Sequence, residues 1–306
     1  MTTCPEQVGP PANDQAPGEH RRPRSVSWRT ALIPAGGHGV PVRVLTPAQP
    51  SGWLVWAHGG SWGGGSAEQW HGPCADLAAR SSVVVVSVDY RLAPRHPYPA
   101  PVDDVLTAMA WARKQMVMAG AAPTLLGVGG DSAGGTLAAC AALAWRDRGL
   151  PLAAQVLAYP PFDPSCRATS YATPGQFPAR SVLRAAWDAH LGTRGTSSSR
   201  AASYPSFVDA ERLQGVAPAI LAVGDLDPVR DDVWAYARRL RRVDVPVAAR
   251  EFADTPHGAF LRADPHPPDS PDQREPTLRA WLASTLRDHL DRPARTDGDV
   301  APIGAP

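Results

Sequence analysis

One serine stands in a setting that can turn its hydroxyl into a nucleophile. An apolar run that begins at position 124 ends in the pentapeptide Gly-Asp-Ser-Ala-Gly centred on Ser132, and a helix-like stretch of small residues follows. Glycines on both sides of Ser132 carry no Cβ, so a strand can turn sharply into a helix and lift the hydroxyl above a sheet. Such a serine attacks carbonyl carbon atoms. The alternative is a glycine-rich turn whose serine only caps the helix.

A second glycine-rich turn upstream can stabilise the charge that such an attack creates. The apolar run 53–57 continues into His-Gly-Gly-Ser-Trp-Gly-Gly-Gly, which starts at His58. Glycines let main-chain N–H groups point into a cavity and hold the negative oxygen of a tetrahedral intermediate. The pattern predicts an oxyanion hole built from the N–H groups of Gly60, Ser61 and Ala133. His58 is expected to hydrogen-bond within the turn and not to act as a base.

A serine nucleophile also needs a base to take its proton and a carboxylate to orient that base. One apolar run downstream is followed by Asp225 and Asp227, and the next apolar run is followed by His257. We predict Asp227 as the acid and His257 as the base, with Asp225 as the alternative acid. Asp231 and Asp232 are expected in the first turn of the helix that follows. For His257 the alternative is a surface loop histidine.

Taken in order, these motifs resemble those of the hormone-sensitive-lipase-like branch of the α/β-hydrolases, a group of bacterial carboxylesterases. The resemblance runs roughly from position 51 to 290 and includes Asp89-Tyr-Arg-Leu-Ala-Pro as a linker after the third core strand. The chain departs from the usual pattern at Ser61, where a third glycine is common, and at Arg95, where a glutamate is common. A main-chain N–H can still donate at Ser61, while its side chain narrows the pocket.

The elements that must position these residues are visible as alternating strand and helix patterns. Strands are predicted at 29–33, 42–45, 53–57, 83–89, 125–129, 154–159, 219–223 and 247–252. Helices are predicted at 102–118, 133–146, 229–242 and 276–290. This alternation predicts an α/β class with a mainly parallel central sheet of about eight strands and helices on both faces. Together with the resemblance it indicates an α/β-hydrolase fold with a small helical cap.

Residues 24–290 are predicted to form one hydrolase domain, and the Pro- and Gly-rich ends 1–23 and 291–306 are predicted to be disordered tails. In the resembled family, the N-terminal segment and an insertion such as 162–205 form a cap over the pocket. That insertion contains one amphipathic segment, 181–191, whose predicted inner face comprises Val182, Leu183, Ala186, Trp187, His190 and Leu191.

The predicted substrate-binding residues are Trp62, Trp187 and His190. Ordinary packing of the amphipathic helix on the sheet is the alternative for each of these side chains. The cap offers few ionisable side chains, which favours a short and uncharged acyl or alcohol group.

Charge and cysteine usage exclude several classes of partner. Lys and Arg number 30 against 29 Asp and Glu, so the net charge of +1 provides no basic field for nucleic acid. No apolar stretch follows the basic residues near position 22, so neither a secretory signal nor a membrane span is predicted and a cytoplasmic location is expected. The four cysteines lack a Cys-x-x-Cys spacing, which favours free thiols over disulfides or a zinc site.

The sequence therefore predicts a serine carboxylester hydrolase that acts on short, uncharged acyl esters through an acyl-enzyme on Ser132. The chemistry is complete in the named residues, so no cofactor and no metal are expected. The expected partner is a small-molecule ester, and a homodimer stays open. One alternative is a deacetylase, amidase or acyltransferase that uses the same triad on a biosynthetic intermediate of secondary metabolism. The other is a ligand-binding protein without catalysis, which the presence of all three triad residues disfavours.

Overall fold

A mixed sheet runs through the computed structural model, which describes residues 25–173, 176–192, 213–263 and 276–291. Within these residues the strands are β1 (Val26–Ala35), β2 (His38–Pro47), β3 (Gly52–Ala57), β4 (Val83–Val88), β5 (Leu126–Asp131), β6 (Gln155–Ala158), β7 (Ala219–Gly224) and β8 (Val247–Phe252). The helices are α1 (His71–Ser81), α2 (Ala100–Met118), α3 (Ala133–Arg146), α4 (Arg180–Leu191), α5 (Arg230–Arg241) and α6 (Leu278–Leu290).

The strand order explains where reactive side chains can meet. It is β1-β2-β4-β3-β5-β6-β7-β8, antiparallel for β1 with β2 and β2 with β4, and parallel from β4 onward. Because neighbouring strands from β4 to β8 are parallel, the loops that follow β3, β5, β7 and β8 emerge at one edge of the sheet. The predicted mainly parallel sheet is thus present, and all its predicted strands are found within a few residues of their bounds.

Helices shield the sheet in pairs. α1 packs on α6, and α2 packs on α3. Val83–Val88 of β4 is buried at every position, as expected for a parallel strand covered on both faces. Near the reactive edge, Trp56 of β3 lies against Gly129 of β5, where any Cβ would collide with its indole ring. The indole also stacks on Phe260 with ring centroids 4.5 Å apart, so this aromatic pair joins β3 to the loop that follows β8.

α4 corresponds to the predicted amphipathic segment of the insertion. Leu183, Trp187 and His190 are buried on its inner face, in agreement with the helical spacing. Val182 was predicted on that face, but this is wrong, since its side chain is 54% exposed. Val182 lies about 100° around the helix from Leu183, so only one of the two can point fully inward.

Some predictions fall outside the described residues. Residues 1–24, 174–175, 193–212, 264–275 and 292–306 are not described, so both predicted tails, the N-terminal part of the cap and the end of the insertion remain predictions. Cys74, Cys140 and Cys166 are buried free thiols, as expected. Among the helices described, none has the length and hydropathy needed to cross a bilayer.

Candidate active site

Ser132 occupies the turn between β5 and α3. Its backbone has φ 51° and ψ −124°, a conformation that residues with a side chain rarely adopt. The turn is held because the N–H of Ser132 donates to the carbonyl of Ala158 at 2.8 Å. A Cβ on Gly134 would collide with the carbonyl oxygen of Ala57. Glycine is therefore required at the start of α3, where the helix lies directly against the end of β3.

Three predicted residues form one hydrogen-bonded chain. Ser132 Oγ lies 2.8 Å from His257 Nε2. His257 Nδ1 lies 2.9 Å from Asp227 Oδ2 and 3.0 Å from Asp227 Oδ1. The Asp227 side chain is fully buried, and that of His257 is 7% exposed. A carboxylate at Nδ1 requires the ring proton there, which leaves Nε2 free to accept the serine proton.

His257 is positioned by the loop that follows β8. Its ring packs edge-to-face on Tyr159 with centroids 4.7 Å apart. The hydroxyl of Tyr159 accepts a hydrogen bond from the N–H of Phe260 at 2.9 Å, which fixes the chain just beyond the histidine. Gly224 at the end of β7 lies so close to Thr255 that a Cβ would overlap its carbonyl. This close approach brings the histidine loop over the acidic loop.

The alternative acid has a different partner. Asp225 Oδ1 accepts the N–H of Thr255 at 3.1 Å, so this carboxylate supports the histidine loop and makes no hydrogen bond to the imidazole. Asp231 and Asp232 lie in the first turn of α5, as predicted. Asp232 Oδ2 accepts the hydroxyl proton of Tyr171 at 2.7 Å. The structure therefore separates four neighbouring carboxylates, and only Asp227 contacts His257.

The glycine-rich turn after β3 presents unbonded N–H groups. Gly60 has φ 115° and Ser61 has φ 55°, and the carbonyl of Gly60 accepts the N–H of Gly64 at 2.9 Å. Within the described residues, the N–H groups of Gly60, Ser61 and Ala133 have no hydrogen-bond partner. Ala133 begins α3, so no carbonyl of its own helix can reach its N–H. All three donors are available to a substrate oxygen.

The histidine of this turn has a structural role, as predicted. His58 Nδ1 bonds to the carbonyl of Gly59 at 2.7 Å, and the imidazole stacks on Tyr90 with centroids 4.3 Å apart. Burial lowers the pKa of His58, which keeps the ring neutral. It makes no hydrogen bond to Ser132.

Asp131, which the motif analysis left without a role, links the two glycine turns. Its Oδ1 accepts hydrogen bonds from Trp70 Nε1 at 2.8 Å, from Trp56 Nε1 at 3.2 Å and from the N–H of Gly59 at 3.2 Å. Burial raises the pKa of Asp131 to about 7, and the three N–H donors lower it by a smaller amount. The only feature of the sequence that could have indicated this role of Asp131 is its place directly before Ser132.

The raised pKa of Asp131 predicts that folding stability depends on pH. Its folded pKa lies above the unfolded value of about 3.9, so the native state binds more protons between the two values and stability falls as pH rises from about 4 to about 7. Asp131→Asn keeps an oxygen acceptor but cannot titrate. Urea unfolding at several pH values is expected to give a wild-type curve that declines more steeply than the variant's, by up to roughly 1.4 kcal/mol per pH unit. Parallel curves would contradict the raised pKa.

The predicted substrate-binding residues lie together. The Trp62 and His190 rings stack with centroids 4.6 Å apart, and the Trp62 and Trp187 rings are 4.3 Å apart. All three rings are buried. Contact with a substrate therefore remains a proposal, whereas their mutual packing joins α4 to the glycine-rich turn.

The chain is similar to known proteins in sequence and in fold. A family model described as the alpha/beta hydrolase fold matches residues 54–261. The chain is 34% identical over 236 residues to the carboxylic ester hydrolase LipN of Mycobacterium tuberculosis. This alignment covers 74% of the chain and 62% of LipN. The chain is also 32% identical over 254 residues to an ethyl acetate hydrolase of Pseudomonas putida. That alignment covers 76% of the chain and 74% of the hydrolase. The chain thus spans less than two thirds of the length of LipN.

A solved esterase structure is also similar to this chain. Esterase LipW from Mycobacterium marinum aligns with 87% of this chain and 83% of its own, at 30% identity and a TM-score of 0.75. The matched family region contains both glycine-rich turns, Asp227 and His257. An esterase from the bacterial hormone-sensitive lipase family aligns with 87% of this chain and 85% of its own, at 25% identity and a TM-score of 0.71. The chain therefore belongs to the α/β-hydrolase family, and its resemblance to the hormone-sensitive-lipase-like branch is confirmed.

Proposed function

We propose that the chain hydrolyses carboxylic esters through an acyl-enzyme on Ser132. The observation that carries the proposal is the unbroken hydrogen-bonded chain from Asp227 through His257 to Ser132 Oγ. Ser132 Oγ attacks the ester carbonyl carbon while its proton passes to His257 Nε2. The carbon–oxygen bond to the alcohol then breaks, and the same proton passes to the leaving oxygen. Water repeats the sequence on the acyl-enzyme and releases the acid.

The remaining proposed roles stabilise the charges that form on the imidazole and on the carbonyl oxygen during the reaction. Asp227 keeps the imidazole in the required tautomer and stabilises the imidazolium that forms. The N–H groups of Gly60, Ser61 and Ala133 bind the oxyanion, and their lack of other hydrogen-bond partners among the described residues supports this role. Each such donor typically lowers the barrier by about 3–4 kcal/mol, because it is already oriented when charge develops.

We further propose that the acyl group is short and uncharged. Ser61 carries a side chain at a position of the oxyanion turn where a third glycine is common, which supports a smaller pocket. Trp62, Trp187 and His190 are neutral rings, and Asp188 on α4 is exposed, away from the buried face of the helix. A relative at 32% identity is named an ethyl acetate hydrolase, which supports a small acid component.

A series of p-nitrophenyl esters tests both proposals. Acetate and butyrate are expected to give kcat/KM values about tenfold or more above that of the twelve-carbon ester, because the longer chain would have to fit under the small cap that we propose for the N-terminal segment and residues 162–205. Initial rates of p-nitrophenol release measure this, with Ser132→Ala protein as the blank for spontaneous hydrolysis. A higher value for twelve carbons would contradict the size proposal alone. Absence of turnover for every ester would contradict the esterase proposal.

The buried free thiols Cys74, Cys140 and Cys166 support a reducing compartment, and we infer a cytoplasmic location.

A further inference from the structure

Three ring nitrogens next to the oxyanion turn lack hydrogen-bond partners. They are Nε1 of Trp62, Nε1 of Trp187 and Nδ1 of His190, and all are buried away from solvent in the described structure. An indole N–H can only donate. Buried polar atoms without partners are uncommon in folded proteins, and each one calls for a physical explanation. Here three of them fall in one group of touching rings, called the ring cluster below.

The ring cluster is built from two independent elements. Trp187 and His190 stand three positions apart on α4 and so share one face, while Trp62 belongs to the glycine-rich turn. The carbonyl of His190 accepts the N–H of Tyr98 at 2.7 Å, and the carbonyl of Trp62 accepts the N–H of Ala93 at 2.9 Å. Both halves are therefore anchored to the same loop after β4, which holds the rings in a fixed arrangement.

The ring cluster also adjoins the oxyanion turn. Trp62 directly follows Ser61, and three chain links of about 3.8 Å place its Cα within ~11 Å of the Gly59 Cα. Gly59 is in turn bonded to Asp131, the residue that precedes Ser132. Trp62 therefore adjoins Ser61, whose N–H is one of the proposed oxyanion donors.

The chemistry of the ring cluster selects an uncharged acceptor. Burial lowers the pKa of His190 to about 3, so the imidazole is neutral at ordinary pH. The rings pack against one another and against Tyr98, all uncharged groups. Since a carboxylate buried among neutral rings would lack a counter-charge, a neutral oxygen fits better.

We propose that the ring cluster is a subsite for an uncharged oxygen atom, an ether, hydroxyl or carbonyl, in the acyl part of the ester. The preferred substrates are then short oxygen-bearing acyl esters and not plain alkanoates. This inference rests on the proposed esterase function and narrows it. The indole N–H groups of Trp62 and Trp187 donate to the oxygen, and His190 completes the polar lining.

Matched ester pairs test the subsite. p-Nitrophenyl methoxyacetate differs from the butyrate by an oxygen in place of one methylene, and 3-methoxypropanoate differs from pentanoate in the same way. The ratio of kcat/KM within each pair is compared between proteins, so the intrinsic reactivity of the esters cancels. Trp187→Phe and Trp62→Phe remove the N–H but keep an aromatic ring. Each is expected to lower the oxygen-to-alkyl ratio of at least one pair on the order of tenfold.

Trp145→Phe is the matched control. Trp145 is buried in α3, and its Nε1 already donates to the carbonyl of Pro151 at 3.1 Å, so the ratio is expected to stay at the wild-type value. Circular dichroism verifies folding, and Trp187→Phe carries the test alone if Trp62→Phe does not fold. An unchanged oxygen-to-alkyl ratio of kcat/KM in folded Trp187→Phe would overturn the subsite. The N–H groups would then be bound to water and not to the substrate. Turnover of the alkyl esters would still support the esterase proposal, so the two failures are distinguishable.

Discussion

Replacing Ser132 with alanine is expected to lower kcat for p-nitrophenyl butyrate a thousandfold or more. Among the residues that the structure describes, the only side-chain hydrogen bond of Ser132 runs to His257 Nε2 at 2.8 Å, so the variant loses the attacking oxygen with little else. Triad members act as a unit, and in serine hydrolases an oxyanion hole and substrate binding alone leave about 10³–10⁴-fold catalysis over water. Initial rates under saturating ester, with circular dichroism to verify the fold, measure the loss.

Ser66→Ala is the matched control for this variant. Ser66 lies in the loop after the oxyanion turn, where its Oγ accepts the N–H of Gln69 at 3.2 Å. Its kcat is expected to stay within a few-fold of the wild-type value. A Ser132→Ala protein that keeps a tenth of the wild-type kcat would rule out the acyl-enzyme on Ser132.

The second large effect concerns the acid. Asp227→Asn is expected to lower kcat by about four orders of magnitude, because an amide can donate to Nδ1 and so stabilise the tautomer whose Nε2 carries the proton. In that tautomer His257 cannot accept the proton of Ser132. The carboxamide is nearly the size of the carboxylate and can still accept the N–H of Val229, which lies 2.9 Å from Asp227 Oδ1. The loss of rate should therefore come without unfolding.

Asp225→Asn tests the specificity of that result. Asp225 Oδ1 accepts the N–H of Thr255, and an asparagine oxygen can do the same, so the kcat of this variant is expected to fall by tenfold at most. Rates for both variants at one pH, together with thermal unfolding midpoints, give the comparison. Comparable losses in the two proteins would mean that the acid has been assigned to the wrong carboxylate.

Much of the fold could be predicted because its strands are short apolar runs bounded by turns. The valine run of β4 and the small-residue helix α3 are both legible by composition alone. α1 was not predicted, since it begins His-Gly-Pro at position 71 and its first turn has the composition of a loop. Proline is tolerated in the first turn of a helix, so composition there does not separate the two structures.

The triad could be predicted because each member follows a strand in the chain order that this architecture requires. Asp227 was predicted as the acid, but Asp225 in the same short loop stayed open as the alternative until their hydrogen bonds separated the two. The role of Asp131 depends on Trp56 and Trp70, which lie 75 and 61 positions away, and no local pattern signals those hydrogen bonds. The unpartnered nitrogens of the ring cluster are likewise visible only once α4 packs on the glycine-rich turn.

Covalent labelling with a fluorophosphonate, followed by peptide mass spectrometry, tests the nucleophile most directly. The reagent reacts only with a serine that is deprotonated by a neighbouring base and whose phosphoryl oxygen can be held by the oxyanion donors. We expect one adduct per chain, on the peptide that contains Ser132, with complete loss of ester turnover and no adduct in Ser132→Ala. An adduct on Ser61 or Ser66, or equal labelling of the Ser132→Ala protein, would contradict the assignment of Ser132 as the nucleophile.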